Sequence, residues 1–64
     1  MNKVLEIKFD CVNWWGYKIY RTKRGTPIVD NGDGYYTLAD PSDVDSEPCS
    51  KVTVPLKHVN EFSN

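Results

Sequence analysis

A strict two-residue alternation near the start of the chain constrains the fold more than any other feature. Apolar side chains stand at every second position and charged ones stand between them: Leu5, Ile7, Phe9 and Cys11 against Glu6, Lys8 and Asp10. Successive side chains of a β-strand point to opposite faces, so this pattern predicts a strand over residues 4–12 with one face in the core. An amphipathic helix would need apolar residues three and four apart, and this segment does not provide them.

Further strands are indicated where aromatic and β-branched residues cluster, over about residues 15–23, 26–30, 35–39 and 51–55. The dipeptide Asn31-Gly32 lies between two of them and favours a two-residue hairpin turn, because both positions accept positive φ. Residues 40–50 carry two prolines and four acidic side chains, a composition typical of an exposed loop. The last apolar residues recur every three positions and predict a short helical turn, with a continued strand as the alternative: Leu56, Val59 and Phe62.

The predicted fold is therefore all-β, a single small domain over residues 1–64. A domain of this size buries only about 60% of the surface that its unfolded chain exposes, so its stability is marginal. Five short strands with brief turns favour an antiparallel meander. Closure into a small SH3-like barrel would remove exposed edges and enclose the aromatic side chains, which makes the barrel the first expectation. A curved, open antiparallel sheet with a terminal helical turn is the second.

Charge is distributed unevenly although the net charge is only -1. Residues 1–30 hold six basic and three acidic side chains, whereas residues 31–64 hold two basic and six acidic ones. Such asymmetry indicates either a basic binding face or two halves that attract each other when folded. The chain shows no signal-peptide pattern and no apolar run of about 20 residues, so we expect a cytoplasmic protein without membrane association. Its size also suits a phage or mobile-element protein, although no residue specifies that origin.

Catalytic, metal and cofactor sites have little support in the sequence. Cys11 and Cys49 fit free structural thiols, with a disulfide as the alternative; they are too few and too widely spaced for a zinc site. His58 is the one histidine, and a nucleophile needs a base within hydrogen-bond reach. We expect no enzyme activity, no cofactor and no bound metal.

The stretch from Trp14 to Arg24 is the first candidate interaction surface. It combines both tryptophans with tyrosines and basic residues, and alternation predicts Tyr17 and Ile19 inside with Lys18 and Tyr20 outside. Exposed aromatic and basic side chains together suit a protein partner. They also suit single-stranded nucleic acid, on which aromatic rings stack and cations neutralise phosphates. The candidate residues on this stretch are Trp14, Trp15, Lys18, Tyr20, Lys23 and Arg24.

The acidic loop is the second candidate surface. Asp43, Asp45 and Glu47 are spaced by two, so an extended loop would point all three carboxylates one way. Such a surface suits a basic partner, because charge complementarity speeds association. The sequence thus predicts a non-enzymatic module that binds a protein through the aromatic-basic strand and the acidic loop. The alternatives are a nucleic-acid-binding accessory domain that uses Lys18, Tyr20, Lys23 and Arg24, and a structural subunit that assembles by strand addition.

Overall fold

The computed structural model describes residues 3–63 and arranges their strands in one open, mixed β-sheet. The strands are β1 (Leu5–Val12), β2 (Lys18–Arg21), β3 (Pro27–Asp30), β4 (Tyr35–Leu38), β5 (Pro48–Lys51) and β6 (Leu56–His58). Their order across the sheet is β5-β4-β3-β2-β1-β6. Neighbours pair antiparallel except β1 and β6, which are parallel. The all-β prediction is confirmed, and residues 3–63 contain no helix.

The sheet does not close, so the barrel expected from the sequence is not formed. It must nevertheless bend strongly. Six flat strands would place the outer strands about 24 Å apart, at roughly 4.8 Å per strand. Only residues 52–55 connect β5 at one edge to β6 at the other, and such a connection spans at most about 18 Å. The short connection therefore forces the two edges toward each other while leaving both unpaired on their outer sides.

An aromatic contact across the sheet confirms this curvature. The hydroxyl of Tyr35 on β4 lies 3.0 Å from Nε2 of His58 on β6, although three strands separate β4 from β6. Burial, with the Asp30 carboxylate as the next cause, raises the pKa of Tyr35 above its ordinary value. The phenol therefore remains protonated at neutral pH and is available for this contact.

The C-terminal segment departs from its predicted structure. The fifth strand was expected over about residues 51–55, but β5 begins at Pro48, which lacks a backbone N–H and is tolerated at the first strand position. The predicted helical turn is wrong, because residues 56–58 form β6 on the free edge of β1. Leu56 lies opposite Leu5, and Val59 donates its N–H to the Ile7 carbonyl at 2.9 Å. This pairing satisfies backbone groups of β1 that a helical turn would leave without partners.

Both faces of the central strands are buried, whereas the sequence predicted one core face. Adjacent residues Ile19 and Tyr20 on β2, like Ile28 and Val29 on β3, are buried on opposite sides. The first face is packed around Ile7, Tyr20 and Ile28 and is covered by Val52 and Leu56 from the C-terminal segment. The second face is packed around Ile19, Val29 and Leu38 and is covered by Val44 from the acidic loop. Val44 in the connection before β5 thus covers the second face, whereas on the first face Val52 from the connection after β5 packs beside residues of the curved sheet itself.

A β-bulge at Asp10 also interrupts the alternation that defined the first strand. Phe9 pairs with Tyr20 and Cys11 pairs with Ile19, so Asp10 is an extra residue. The bulge moves Cys11 to the second face, away from Leu5 and Ile7, with which it was grouped. Asp10 itself accepts a hydrogen bond from Nε of Arg21 at 3.2 Å.

The hairpin turn between β3 and β4 also differs from its prediction. Asn31 donates its N–H to the Gly34 carbonyl at 3.4 Å, so the central residues are Gly32 and Asp33. Of these two, only Gly32 has positive φ (88°). A positive φ at the first central position is the pattern of a type II′ turn, which accounts for the glycine there.

Because each face has its own core, truncation on either side is expected to destabilise the protein. Ile7→Ala and Ile19→Ala should each lower the free energy of unfolding by about 2–4 kcal/mol, since each removes a fully buried side chain. The exposed Val54→Ala should change it by less than about 0.5 kcal/mol. Urea unfolding followed by tryptophan fluorescence measures all three. If only one isoleucine mattered, the two-core description would be contradicted.

Candidate functional site

The turn between β1 and β2 is organised by the side chain of Asn13, which is 7% exposed. Its Oδ1 accepts hydrogen bonds from the backbone N–H groups of Trp15 (3.0 Å) and Tyr17 (2.9 Å). The backbone closes the same turn, since Asn13 donates to the Tyr17 carbonyl and Gly16 donates to the Asn13 carbonyl. Gly16 has φ of 86°, a value that favours glycine. The turn therefore presents Trp14 and Trp15 from a fixed backbone.

The acidic loop (residues 39–47, between β4 and β5) is fastened to this turn. Asn13 donates its Nδ2–H to the Val44 carbonyl at 3.1 Å. The Trp14 backbone N–H donates to Oδ1 of Asp45 at 2.7 Å, and the Trp15 indole Nε1–H donates to the Asp45 carbonyl at 2.9 Å. The sequence placed the tryptophans and the acidic loop on separate surfaces, but the structure makes them neighbours.

Both tryptophans expose large apolar surfaces despite these bonds. Trp14 is 78% exposed and Trp15 is 53% exposed. Their rings meet edge to face, with centroids 5.0 Å apart and an interplanar angle of 88°. The sequence left open which tryptophan is exposed, and in the structure both are. A rigid exposed tryptophan pair is typical of a binding surface.

A shallow cleft of about 190 Å³ lies beside Trp15. Its lining residues are Trp15, Tyr17, Glu47 and Pro48. We call these four residues, together with Trp14, the tryptophan–loop patch. The cleft is smaller than the roughly 300–1,000 Å³ of a typical small-molecule site. It therefore suits a single side chain of a partner.

The loop carboxylates have distinct surroundings, because the loop is folded and not extended as predicted. Two consecutive turns close between residues 40 and 46, with Asp43 donating to the Asp40 carbonyl and Ser46 donating to the Asp43 carbonyl. The Asp43 carboxylate accepts the Asp45 N–H at 2.9 Å, and the Asp45 carboxylate accepts the Trp14 N–H. The three carboxylates therefore do not form one row.

Hydrogen bonds also stabilise the ionised form of Asp40, the first acidic residue in the loop. The hydroxyl and the backbone N–H of Ser42 donate to Oδ1 of Asp40 at 2.7 and 3.0 Å, and they hold the pKa of this carboxyl below its ordinary value. By contrast, the Glu47 carboxylate accepts no hydrogen bond from any residue between 3 and 63. Glu47 thus remains available to another molecule at the edge of the cleft.

The expectation that Tyr20 is exposed is wrong. Tyr20 is 8% exposed and packs edge to face against Phe9, Tyr35 and His58 on the first face. Alternation places Tyr20 on the face opposite Ile19. Val52 and Leu56 from the C-terminal segment pack on that face, so it is a core as well. Lys18 is exposed as predicted.

The remaining basic candidates lie away from the tryptophans. Lys23 and Arg24 belong to the turn after β2, whereas Trp14 and Trp15 belong to the turn before it, so the two groups lie at opposite ends of this strand. The Lys23 ammonium donates to the Ser63 carbonyl at 3.0 Å. The aromatic-basic stretch therefore does not form one continuous surface.

The two thiols have different surroundings. Cys11 and Cys49 are free thiols, the first half-buried on the second face and the second exposed on β5. Burial, with the Asp10 carboxylate as the next cause, raises the pKa of the Cys11 thiol, which disfavours its nucleophilic form. Within residues 3–63 no group of three or more His, Cys, Asp or Glu side chains is placed to hold a metal ion. No helix in that range is long and apolar enough to cross a bilayer.

Sequence reasoning missed three residues that build the site: Asn13, Tyr17 and Pro48. The pattern Asn-x-x-Gly at residues 13–16 carries a local signal, because an asparagine oxygen often bonds backbone N–H groups two residues on. Tyr17 was assigned to the core, and it does contact the second face while also lining the cleft. No local signal places Pro48 there, since its position depends on how the loop folds.

Comparison of the chain with protein-family models, with curated proteins and with solved structures finds no match. The functional argument therefore depends on the geometry of the tryptophan–loop patch.

Asn13 is expected to be the most sensitive polar residue of the site. Asn13→Ala removes one acceptor and one donor and leaves the Val44 carbonyl without its side-chain donor, so it should lower the free energy of unfolding by about 2–3 kcal/mol. Asn13→Asp retains the acceptor for Trp15 and Tyr17 but loses the donor to Val44. It should therefore cost less, and the bonds from Trp14 and Trp15 to Asp45 should keep the loop attached to the turn.

Urea unfolding gives the stabilities, and the chemical shift of the Trp15 indole proton reports loop attachment. The exposed Asn60→Ala is the matched control and should be neutral. Asn13→Ala that is as stable as this control would contradict the assigned role.

Proposed function

We propose that this protein is a small non-enzymatic interaction module that binds a protein partner through the tryptophan–loop patch. The observation that carries the proposal is the fixed, exposed pair Trp14 and Trp15, held by backbone and side-chain hydrogen bonds to Asn13 and Asp45. A small domain that keeps its two largest side chains on the surface gives up core volume, which a binding role explains.

The energetics favour a tryptophan-centred contact. Burial of only ~100 Å² of the Trp14 ring against a partner contributes about 2.5 kcal/mol, at ~25 cal/mol per Å². The Trp15 ring is already held by its indole hydrogen bond to the Asp45 carbonyl, so its immobilisation costs little additional conformational entropy on binding. Tryptophan is also the residue type most enriched among interface positions whose truncation weakens binding strongly.

Charge indicates the chemistry of the partner. The acidic loop contains Asp40, Asp43, Asp45 and Glu47 and no lysine or arginine. A partner surface that meets this patch therefore combines an apolar pocket for tryptophan with nearby basic residues. The proposal keeps the predicted protein-binding role, with the acidic loop and Trp14–Trp15 as one surface and with Lys23 and Arg24 at the opposite end of β2.

The burial of Tyr20 weakens the nucleic-acid alternative. That surface required Tyr20 as a stacking platform between basic side chains, and Tyr20 is buried. The exposed residues Trp14 and Trp15 are instead hydrogen-bonded to an acidic loop, whose charge repels phosphate groups.

Assembly by strand addition is the other alternative, and the open edges of the sheet bear on it. The β5 edge begins with Pro48, which cannot donate to a ladder, and ends with Lys51. The β6 edge is three residues long and carries Lys57. Short edges that carry proline and lysine oppose pairing with another strand. The tryptophan–loop patch is therefore the better supported surface.

The proposal predicts that partner binding depends on Trp14. Proteins captured from a lysate of the source cells by the wild-type protein should include one that Trp14→Ala fails to retain and that Val54→Ala, an exposed control distant in sequence, retains. With that partner purified, Trp14→Ala should raise Kd about 10- to 100-fold by calorimetry, because truncating a central tryptophan costs roughly 1.4–2.8 kcal/mol.

Circular dichroism and the unfolding midpoint should show that both variants remain folded. A captured set that is the same for wild type and Trp14→Ala would contradict the proposal.

A further inference from the structure

The cleft beside Trp15 has one aromatic wall whose orientation is fixed. The indole Nε1–H of Trp15 donates to the Asp45 carbonyl at 2.9 Å, which prevents the ring from rotating freely. Tyr17 and Pro48 complete the apolar lining. The backbone N–H of Tyr17 donates to Oδ1 of Asn13, and Tyr17 also contacts the second face of the sheet. These two contacts hold Tyr17 in position. The flat indole wall is thus present before any partner binds.

Glu47 is the charged residue among those that line the cleft. Its backbone position is fixed, because the Ala39 N–H donates to the Glu47 carbonyl at 2.8 Å at the base of the loop. No side chain or backbone N–H of residues 3–63 donates to the carboxylate itself. An anionic acceptor with no internal partner beside an aromatic face favours a cationic ligand, through both ion pairing and the negative face of the ring.

We propose that this cleft binds an arginine side chain of the partner protein, an inference that rests on the proposed function and names the chemistry that the patch recognises. A planar guanidinium stacks on the indole of Trp15 and donates two parallel hydrogen bonds to Glu47. The volume of about 190 Å³ accommodates one side chain and not a larger ligand.

Lysine fits the same cleft less well. The cleft is shallow and open to water. A bound side chain therefore keeps part of its hydration and gains affinity from surface contact. Guanidinium is more weakly hydrated than ammonium and offers a flat surface to the indole, whereas ammonium is a compact and strongly hydrated charge. Arginine therefore loses less hydration and gains more contact. Trp14 does not line the cleft, so it contributes to partner binding separately from the arginine site.

The test uses the full chain and a capped amino acid as the probe. N-acetyl-arginine methylamide is titrated against the protein at constant ionic strength, and the indole Nε1–H resonance of Trp15 is followed by NMR. We expect a saturable shift with Kd of about 1–10 mM, the range of a single side-chain contact. The matching lysine derivative should bind at least about threefold more weakly, and the norleucine derivative, which lacks the charge, should give no saturable shift.

Two variants separate the arginine site from general charge effects. Glu47→Gln should raise the Kd for the arginine derivative about five- to tenfold, because it removes the anionic acceptor while preserving side-chain size. Glu61→Gln removes an equal charge from an exposed position outside the cleft and should leave the Kd unchanged. Superimposable amide spectra of both variants show that the fold is retained.

Three results would overturn this inference: no saturable shift of Trp15, equal affinity for the lysine derivative, or no effect of Glu47→Gln. Each is distinguishable from failure of the proposed function. A partner whose binding is lost in Trp14→Ala, with no arginine binding in the cleft, would retain the interaction module and reject the arginine site. Saturable arginine binding as expected, with no partner that depends on Trp14, would retain the arginine site and reject the proposed interaction module.

Discussion

The buried amide of Asn13 is the interaction on which the arrangement of the functional surface depends. Its oxygen holds the backbone of the turn that carries Trp14 and Trp15, and its nitrogen holds the Val44 carbonyl of the acidic loop. A carboxylate in its place could accept both N–H groups but could not donate to the carbonyl. One side chain thus determines the shape of the turn and, together with the bonds of Trp14 and Trp15 to Asp45, the position of the loop.

The attachment of the acidic loop to the turn also completes the hydrophobic core. The second face of the sheet would be open without the loop, and Val44 packs there against Ile19, Val29 and Leu38. The first face is covered independently by Val52 and Leu56. A 64-residue chain therefore buries apolar side chains on both faces of a single curved sheet. The same loop that completes the core brings Glu47 and Pro48 to the tryptophans, so folding and the candidate site are coupled.

The local elements of the fold were predictable because their causes are local. Alternation gave β1 and most of β2 to β4, and it placed Ile7 and Ile19 in the interior. What failed depends on contacts distant in sequence. Tyr20 and Ile19 are neighbours that are both buried, which alternation with a single core cannot express. The strand β6 forms because β1 leaves a free edge, and a period of three in residues 56–62 does not reveal that edge.

The candidate site was predicted in part for the same reason. Trp14, Trp15 and Glu47 were identified from residue type, since aromatic and acidic side chains in a small domain indicate a surface with a role. Their meeting was not predicted, because it follows from the Asn13–Val44 and Trp15–Asp45 hydrogen bonds, which link residues about 30 positions apart. The bulge at Asp10 was not predicted either, because no glycine or proline marks it in the sequence.

Amide hydrogen exchange measured residue by residue tests the central claim most directly. If Asn13 and the acidic loop fix the tryptophan turn, the backbone N–H groups of Trp14, Trp15 and Tyr17 are protected, because each donates to a side-chain oxygen in the folded protein. The account predicts exchange at these three positions slowed at least about tenfold relative to an unstructured peptide. Exchange at the unstructured rate, with the strands still protected, would show that the turn is not held and would contradict the account.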